Sequence, residues 1–448
     1  MKIIIVGAGT IGHNLAKYFS KENHEVYLLE KNEDIVRKLG EKLDAKVIAG
    51  NGADPDALKS VGVAQSDLVI AVTTSDETNL VVCALAAAYG AKKRIARVRS
   101  VSLNKVFEEL GYKRFYIDEI IYPEYVASHA IVQAIKAPGA REVADFANGK
   151  ILLRTFDIRK GSPLSGLKVE ELRDENFPWP FLITAILRKG TVIIPKGETF
   201  IEEEDRIYVL LPTQSLGEFL TFVNPDIRKP KKIVIYGATN IGEYVATALA
   251  QDIKDIILLE ENTEKAEKIA GRLKSARVIN GSACETDILN ESGIEAADVF
   301  IAASDHDHSN LVSAVLAKKM GAKTTMITTQ LPDYMSIVDA LNVDVVINPR
   351  FLAVDQILRL VRGGSVSSVT KFMDCDAEAL EFIPQEGSMV TKHPIKEISF
   401  PKNSIVGAIY RGSEVILAKG DTQIMAGGKV IVFCQESAVK KLQELFTR

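Results

Sequence analysis

The chain repeats itself, and no other feature limits its fold so strongly. Lys2-Ile3-Ile4-Ile5-Val6-Gly7-Ala8-Gly9-Thr10-Ile11-Gly12 returns as Lys232-Ile233-Val234-Ile235-Tyr236-Gly237-Ala238-Thr239-Asn240-Ile241-Gly242. Val47-Ile48-Ala49-Gly50 returns as Val278-Ile279-Asn280-Gly281, and Ile70-Ala71 with Asn79-Leu80 returns as Ile301-Ala302 with Asn310-Leu311. The offset grows from 230 at Glu30/Glu260 to 231 at Gly50/Gly281, so one residue is inserted between them. The intervening segments match more weakly. Leu187-Arg188-Lys189-Gly190 followed by Lys196-Gly197 parallels Tyr410-Arg411-Gly412 followed by Lys419-Gly420. Each is trailed by an apolar run, Ile207 to Leu211 and Val430 to Phe433. The order is therefore A–B–A′–B′. Two prolines and a basic cluster mark the seam at Asn224-Pro225-Asp226-Ile227-Arg228-Lys229-Pro230, and so short a charged run reads as a solvated linker.

Within A, short apolar runs alternate with helical stretches. Ile3–Val6, Glu25–Leu29, Lys46–Ile48, Leu68–Val72 and Ile95–Val98 predict strands, with helices over Thr10 to Ser20 and Glu33 to Lys42. Runs of branched residues without polar alternation indicate strands buried on both faces, hence a parallel sheet covered by helices. B reads as a small β-rich module, with strands at Leu152–Phe156, Leu182–Leu187, Val192–Ile194 and Ile207–Leu211 between glycine and proline turns. Helices opened by Pro123 and Pro349 join A to B and A′ to B′; proline suits a first helical turn, where its missing N–H would have no partner. Val126, Ile131 and Ile135 give the first an apolar stripe, and Val354, Ile357, Leu358 and Val361 the second. The expected fold class is α/β: two Rossmann-like parallel-sheet domains, each followed by a small α+β module, tandemly duplicated. The boundaries fall at 1–122, 123–139 (helix and linker), 140–225, 226–348, 349–365 (helix) and 366–448.

Composition removes whole classes of function. Lys and Arg total 55 against 59 Asp and Glu, a net charge of −4, so no global basic field attracts nucleic acid. No stretch approaches the ~18 apolar residues of a membrane span; Leu80 to Tyr89 is too short. The opening passes directly from a strand into a glycine turn and does not read as a signal peptide. Cys83, Cys284, Cys375 and Cys434 lie far apart with no C-x-x-C pair, which fits reduced cytoplasmic thiols better than disulfides or zinc.

Gly7-Ala8-Gly9-Thr10-Ile11-Gly12 matches G-x-G-x-x-G between the first strand and the first helix, and Glu30 ends the second strand. Gly7 permits the tight turn, Gly9 lets backbone approach a pyrophosphate, and Gly12 lets helix and strand pack closely. Free N–H groups at the helix start face phosphate. Glu30 can accept from ribose hydroxyls and would repel a 2′-phosphate, which favours NAD(H) over NADP(H), while Lys31 beside it works in the opposite sense. In A′ the middle glycine is Thr239, whose Cβ crowds a pyrophosphate, although Gly237, Ile241, Gly242 and Glu260 remain. A′ is either a second nucleotide site or a structural duplicate.

Two further loops stand at strand ends. Gly50-Asn51-Gly52-Ala53 could pass beneath adenine, and Thr73-Thr74-Ser75-Asp76 with Asn79 could touch ribose or phosphate; both are also what tight turns use. Arg97 ends the fifth strand, where it could meet phosphate or form a salt bridge; its counterpart is Thr328. Chemistry is harder to find than binding. None of His13, His24, His129 or His393 belongs to an acid–base set, and B is small for a substrate domain. Asp305-His306-Asp307-His308 holds metal-ligand types, but its counterpart Thr74-Ser75-Asp76-Glu77 lacks both histidines, and it reads as a solvated loop. No catalytic and no metal residues are expected; the competing reading is an NAD-dependent oxidoreductase.

The glycine turn with Glu30, the Gly50-Asn51-Gly52-Ala53 turn, the Thr73 to Asn79 loop, Arg97 and the A–B–A′–B′ layout resemble the tandem RCK (or KTN) family of nucleotide-binding subunits of Trk-type potassium-uptake systems. The resemblance covers essentially the whole chain. It implies a regulator rather than an enzyme, cytoplasmic and peripheral on the inner face of the cell membrane. It further implies binding of NAD(H) and of ATP or ADP, and assembly into a homotetramer or other RCK ring. The ring's partner would be a membrane-embedded potassium transporter of the TrkH or TrkG type, whose ion flux follows ligand-dependent rearrangement. The Pro123 and Pro349 helices resemble the family's crossover helices, which pack between neighbouring RCK units.

Overall fold

A computed structural model of the chain describes residues 1–22, 24–140, 143–172, 177, 179–223, 229–331, 334, 341–361, 366–372, 375–412 and 414–447. The linker residues 224–228, the end of the second connecting helix segment at 362–365 and the domain boundaries expected there lie outside the described residues.

The first sheet contains β1 (Lys2–Val6), β2 (Glu25–Glu30), β3 (Lys46–Ala49), β4 (Leu68–Ala71), β5 (Lys93–Arg97) and β6 (Glu119–Ile121). Their spatial order is β3-β2-β1-β4-β5-β6, all parallel. Helices α1 (Thr10–Lys21), α2 (Glu33–Gly40), α3 (Pro55–Ser60), α4 (Asp76–Ala88) and α5 (Val101–Leu110) fill the crossovers. Ile3 and Ile5 face one layer of helices while Ile4 and Val6 face the other, and all four are buried. That is why these strands carry no polar alternation. The strand order reverses between β1 and β4, and a crevice opens there at the strands' carboxyl ends. β6 was not expected from the sequence, being only three residues long.

Helix α6 (Pro123–Lys136) leads to the first module, an antiparallel sheet of β7 (Val143–Phe146), β8 (Ile151–Asp157), β9 (Leu182–Arg188), β10 (Thr191–Ile193) and β11 (Arg206–Pro212), ordered β10-β9-β11-β8-β7 and backed by α7 (Leu216–Val223). The second half repeats the scheme. Strands β12 (Lys232–Tyr236), β13 (Asp255–Glu260), β14 (Arg277–Asn280), β15 (Val299–Ala302), β16 (Thr324–Thr328) and β17 (Val345–Ile347) form its parallel sheet in the order β14-β13-β12-β15-β16-β17. Around it lie α8 (Asn240–Leu249), α9 (Thr263–Arg272), α10 (Thr286–Glu291) and α11 (Asp307–Lys319), followed by α12 (Pro349–Val361). The last module holds β18 (Val366–Lys371), β19 (Ala377–Phe382), α13 (Met389–Lys392), β20 (Ser404–Arg411), β21 (Glu414–Leu417), β22 (Lys429–Gln435) and α14 (Val439–Phe446).

The halves exchange helices. Ala127, Ile131, Val132 and Ile135 of α6 pack against Ile233, Ile235, Val245 and Leu249 of the second half. Reciprocally, Ala353, Val354, Ile357 and Leu358 of α12 pack against Ile3, Ile5, Leu15 and Phe19 of the first. Ile131 and Ile135 of the first predicted stripe, without Val126, and Val354, Ile357 and Leu358 of the second are thus matched to the other half's core, and the neighbouring units these helices pack between are two halves of one chain. The modules also meet: Phe146, Leu153, Tyr208 and Leu210 share a core with Phe372, Ala379, Ile431 and Phe433. Glu381, almost fully buried there, accepts the Ala147 N–H at 2.6 Å and pairs with Lys429 at 3.0 Å. Among the described residues no helix is long and apolar enough to cross a membrane.

Candidate functional site

The site is built on the turn between β1 and α1. Gly7 has φ +102, a conformation open to glycine at little cost. A Cβ on Gly12 would stand 1.9 Å from the Gly7 carbonyl oxygen, so helix and turn touch directly. Gly9 differs: a Cβ there meets nothing within 4 Å, and the residue is exposed. No side chain caps α1, and its first backbone bond runs from His13 N–H to Gly9 C=O at 2.9 Å. The N–H groups of Thr10, Ile11 and Gly12 are the ones a helix start leaves without intrahelical partners. With the helix dipole behind them they make a cradle for an anion, and the space beside Gly9 is open to an approaching group. The side chain of Ile11 is buried, so only its backbone faces the cleft.

Glu30, at the end of β2, braces this turn. One carboxylate oxygen accepts Ala8 N–H at 2.8 Å and the other accepts Asn32 N–H at 3.0 Å. A carboxylate has about four acceptor positions, so capacity remains for ribose hydroxyls. Lys31 next to it is exposed. After β3, Asn51 folds its amide oxygen onto Ala53 N–H at 3.1 Å. Gly52 is buried, and a Cβ there would lie 2.1 Å from Val6 Cγ1, so the loop reaches the first strand only with glycine. Across the crevice, Thr73 lies against Gly7 and Thr74 is exposed.

Two expected contact residues are placed differently. Asn79 is fully buried beneath the β4–α4 loop: its Oδ1 accepts Thr73 N–H at 2.9 Å and Thr73 Oγ1–H at 2.8 Å, and its Nδ2 donates to the Arg97 carbonyl at 2.9 Å. It joins two loops of the cleft floor and presents no free polar atom to a ligand. Arg97 turns toward the seam between the halves, where Nη2 lies 3.8 Å from Glu124 Oε1. Burial lowers its pKa; Glu124 opposes that, while Arg99 and Arg350 add to it. Glu124 also accepts from Arg99 Nε at 3.0 Å.

The second turn copies the first with one change. Gly237 has φ +109, a Cβ on Gly242 would lie 2.1 Å from Gly237 C=O, and Glu260 accepts Ala238 N–H at 2.7 Å and Asn262 N–H at 2.9 Å. Thr239 fills the place of Gly9: its hydroxyl donates to Ala303 C=O at 2.7 Å and accepts Gly242 N–H at 3.3 Å. One donor that is free in the first turn is therefore engaged by the protein itself. Ile241 is buried and contributes backbone only. Tyr236 stands where Val6 does, its hydroxyl on Glu261 at 3.0 Å; burial pushes that phenol up to about 12. His308 lies within α11 and Asp305 pairs with Lys265 at 3.6 Å, so the two histidines do not share an extended strand.

A residue that spacing did not disclose is Arg350. It stands in the first turn of α12, carried by the second half, yet its Nη1 donates to Thr10 Oγ1 of the first glycine turn at 2.7 Å. Its other terminal nitrogen meets Gln330 Oε1. The available signal was a charge reversal between the repeats, Pro123-Glu124 against Pro349-Arg350.

The TrkA-N domain family matches residues 3–123 and 233–349, and the TrkA-C domain family matches 153–224 and 379–447. The chain is 33% identical over 452 residues to the Trk system potassium uptake protein TrkA of Vibrio alginolyticus, covering 100% of this chain and 98% of that one. The crystal structure of the GsuK RCK domain superposes with a TM-score of 0.63 at 17% identity, covering 99% of this chain and 94% of the other. The GsuK channel bound to NAD gives a TM-score of 0.63 at 17% identity, over 99% and 78%. These solved structures share the fold of two Rossmann-like sheets, each followed by an antiparallel module. With both domain types present twice in the same order, the chain belongs to the TrkA family of potassium-uptake proteins, and it is not an oxidoreductase.

Proposed function

We propose that the chain is a cytoplasmic regulatory subunit of a Trk-type potassium transporter, peripheral on the inner face of the membrane, that binds NAD(H) and ATP or ADP in its first glycine turn. The observation that carries this reading is the first turn itself: helix-start N–H groups without a cap, open space over Gly9, and a braced acid at Glu30. Gly7, Ala8, Gly9, Thr10, Ile11 and Gly12 would hold the phosphates, and Glu30, Lys31, Asn51, Gly52, Ala53, Thr73 and Thr74 the nucleoside. Gly237, Ile241, Gly242 and Glu260 form the second, partly self-capped cradle.

A ligand shifts a conformational equilibrium only through unequal affinity for its two states. The first cradle lies against a helix belonging to the other half, so ligands of different length or charge favour different angles between the halves. Copies joined in a ring add their effects. A ring is supported by the outer faces of α4 and α11. Val81 and Ala88 are exposed on one and Val312 on the other, Val81 being 44% and Val312 54% exposed. A membrane-embedded transporter of the TrkH or TrkG type is the partner that the ring would gate.

The test is titration of the intact chain with NAD, NADH, ATP and ADP, with stoichiometry, followed by ion flux through the co-reconstituted transporter. Gly9→Glu places a carboxylate in the cradle and should abolish binding at the first turn together with the nucleotide response of transport. A response that survives this substitution refutes the reading.

A further inference from the structure

The hydrogen bond between Arg350 and Thr10 joins residues 340 positions apart and crosses from one half of the chain to the other. Thr10 is the first residue of α1, so its backbone N–H belongs to the anion cradle while its hydroxyl holds the guanidinium beside it. Arg350 is half-buried and fixed on both sides, by Thr10 and by Gln330, and Gln330 is itself anchored through its N–H on Asp307 at 3.0 Å. Among the described residues no carboxylate pairs with Arg350.

The carboxylates around it are committed elsewhere. Glu124 serves Arg99 and Arg97; Asp76 accepts the N–H groups of Arg99 at 3.0 Å and Ser100 at 2.8 Å; Asp307 accepts Gln330 N–H. Three arginines therefore gather at this seam around one shared carboxylate. Among the described residues this guanidinium has no carboxylate within ion-pair distance, Asp307 and Glu124 acting on it only from farther away, and a guanidinium held half-buried against an uncapped helix start is placed to bind phosphate oxygens. The second half lacks it. There the residue equivalent to Thr10 is Asn240, whose amide meets the Arg99 carbonyl at 3.4 Å, and the position equivalent to Arg350 is Glu124.

We propose that Arg350 is a ligand-binding residue of the first half's nucleotide site, supplied across the seam by the second half, and that it binds a phosphate group of a nucleoside diphosphate, triphosphate or dinucleotide. The inference rests on the nucleotide reading above. The same phosphate would be held by α1 of one half and α12 of the other, so its charge ties the halves together. Adenosine, which has no phosphate, would fill the nucleoside end without engaging α12.

The test is calorimetric titration of the full chain and its variants with ADP, ATP and adenosine. Arg350→Gln removes the charge and keeps a shorter polar amide in its place. It should weaken ADP and ATP by about 10- to 100-fold, the range for a lost charge-assisted hydrogen bond, and leave adenosine within about twofold. Arg350→Lys should recover part of the lost affinity. ADP binding unchanged in Arg350→Gln, or adenosine falling in parallel with ADP, overturns the proposal while leaving the nucleotide reading intact. A wild-type chain that binds none of these three and neither NAD nor NADH in the same titration overturns both. Should Arg350→Gln fail to show a cooperative thermal transition, Arg350→Lys carries the same comparison: weaker ADP beside unchanged adenosine supports the role, and a parallel loss refutes it.

Discussion

Gly9 and Gly12 sit three residues apart in one turn and face opposite fates on substitution. A methyl group on Gly12 has the Gly7 carbonyl 1.9 Å away, and backbone cannot retreat as a flexible side chain could. Gly12→Ala should cost about 2–3 kcal/mol in urea unfolding, at the upper end of overpacking effects. Gly9→Ala meets only open space and should stay within about 1 kcal/mol of wild type, the scale of an N-cap change. Its effect should appear in nucleotide affinity instead. Equal destabilisation by both would mean that the turn's glycines serve the fold alone. Asn79 illustrates the reverse relation, a polar residue at a cleft whose every hydrogen-bonding group is committed to the protein.

At the scale of elements, α6 and α12 decide how the halves relate. Each would expose an apolar stripe if folded back on nothing, and each instead completes the other half's helix layer. Val354, Ile357 and Leu358 are buried, and burying an aliphatic side chain of this size contributes about 1.5–3 kcal/mol. Fragments 1–223 and 229–448 produced together should therefore co-purify through a tag on either one. Each fragment alone should self-associate in light scattering, since a second copy offers the same groove. Two independent monomers would contradict the exchange. The same swap brings Arg350 to Thr10, so the seam and the site share one helix.

For the molecule as a whole, the exposed valines on α4 and α11, Val81 and Val312, set the expectation. Each half presents one, so a chain carries two and can extend contacts in two directions, as closure into a ring requires. Val81→Glu with Val312→Glu places charge in the centre of both faces. The double variant should sediment as the single chain at concentrations where the wild type assembles, with its melting temperature changed little, because both residues are exposed in the folded chain. Unaltered assembly would locate the contact elsewhere.

The alternation of strand and helix and the glycine turn were legible in the sequence because each depends on neighbours a few residues apart, and the duplication and the acid at Glu30 because each recurs at a fixed spacing. Gly7 and Gly12 are glycines for reasons of local contact that spacing anticipates, whereas Gly52 is one because its loop meets Val6 of another strand. The short strands β6, β7, β17 and β18 were missed, since three to six residues at a sheet edge carry little pattern of their own. Only tertiary structure decided that Asn79 is spent within the fold, that Arg97 turns to Glu124, and that Arg350 stands beside Thr10. Those outcomes depend on which surfaces the two halves bury against each other. Side-chain contacts across hundreds of residues leave no periodic trace along the chain.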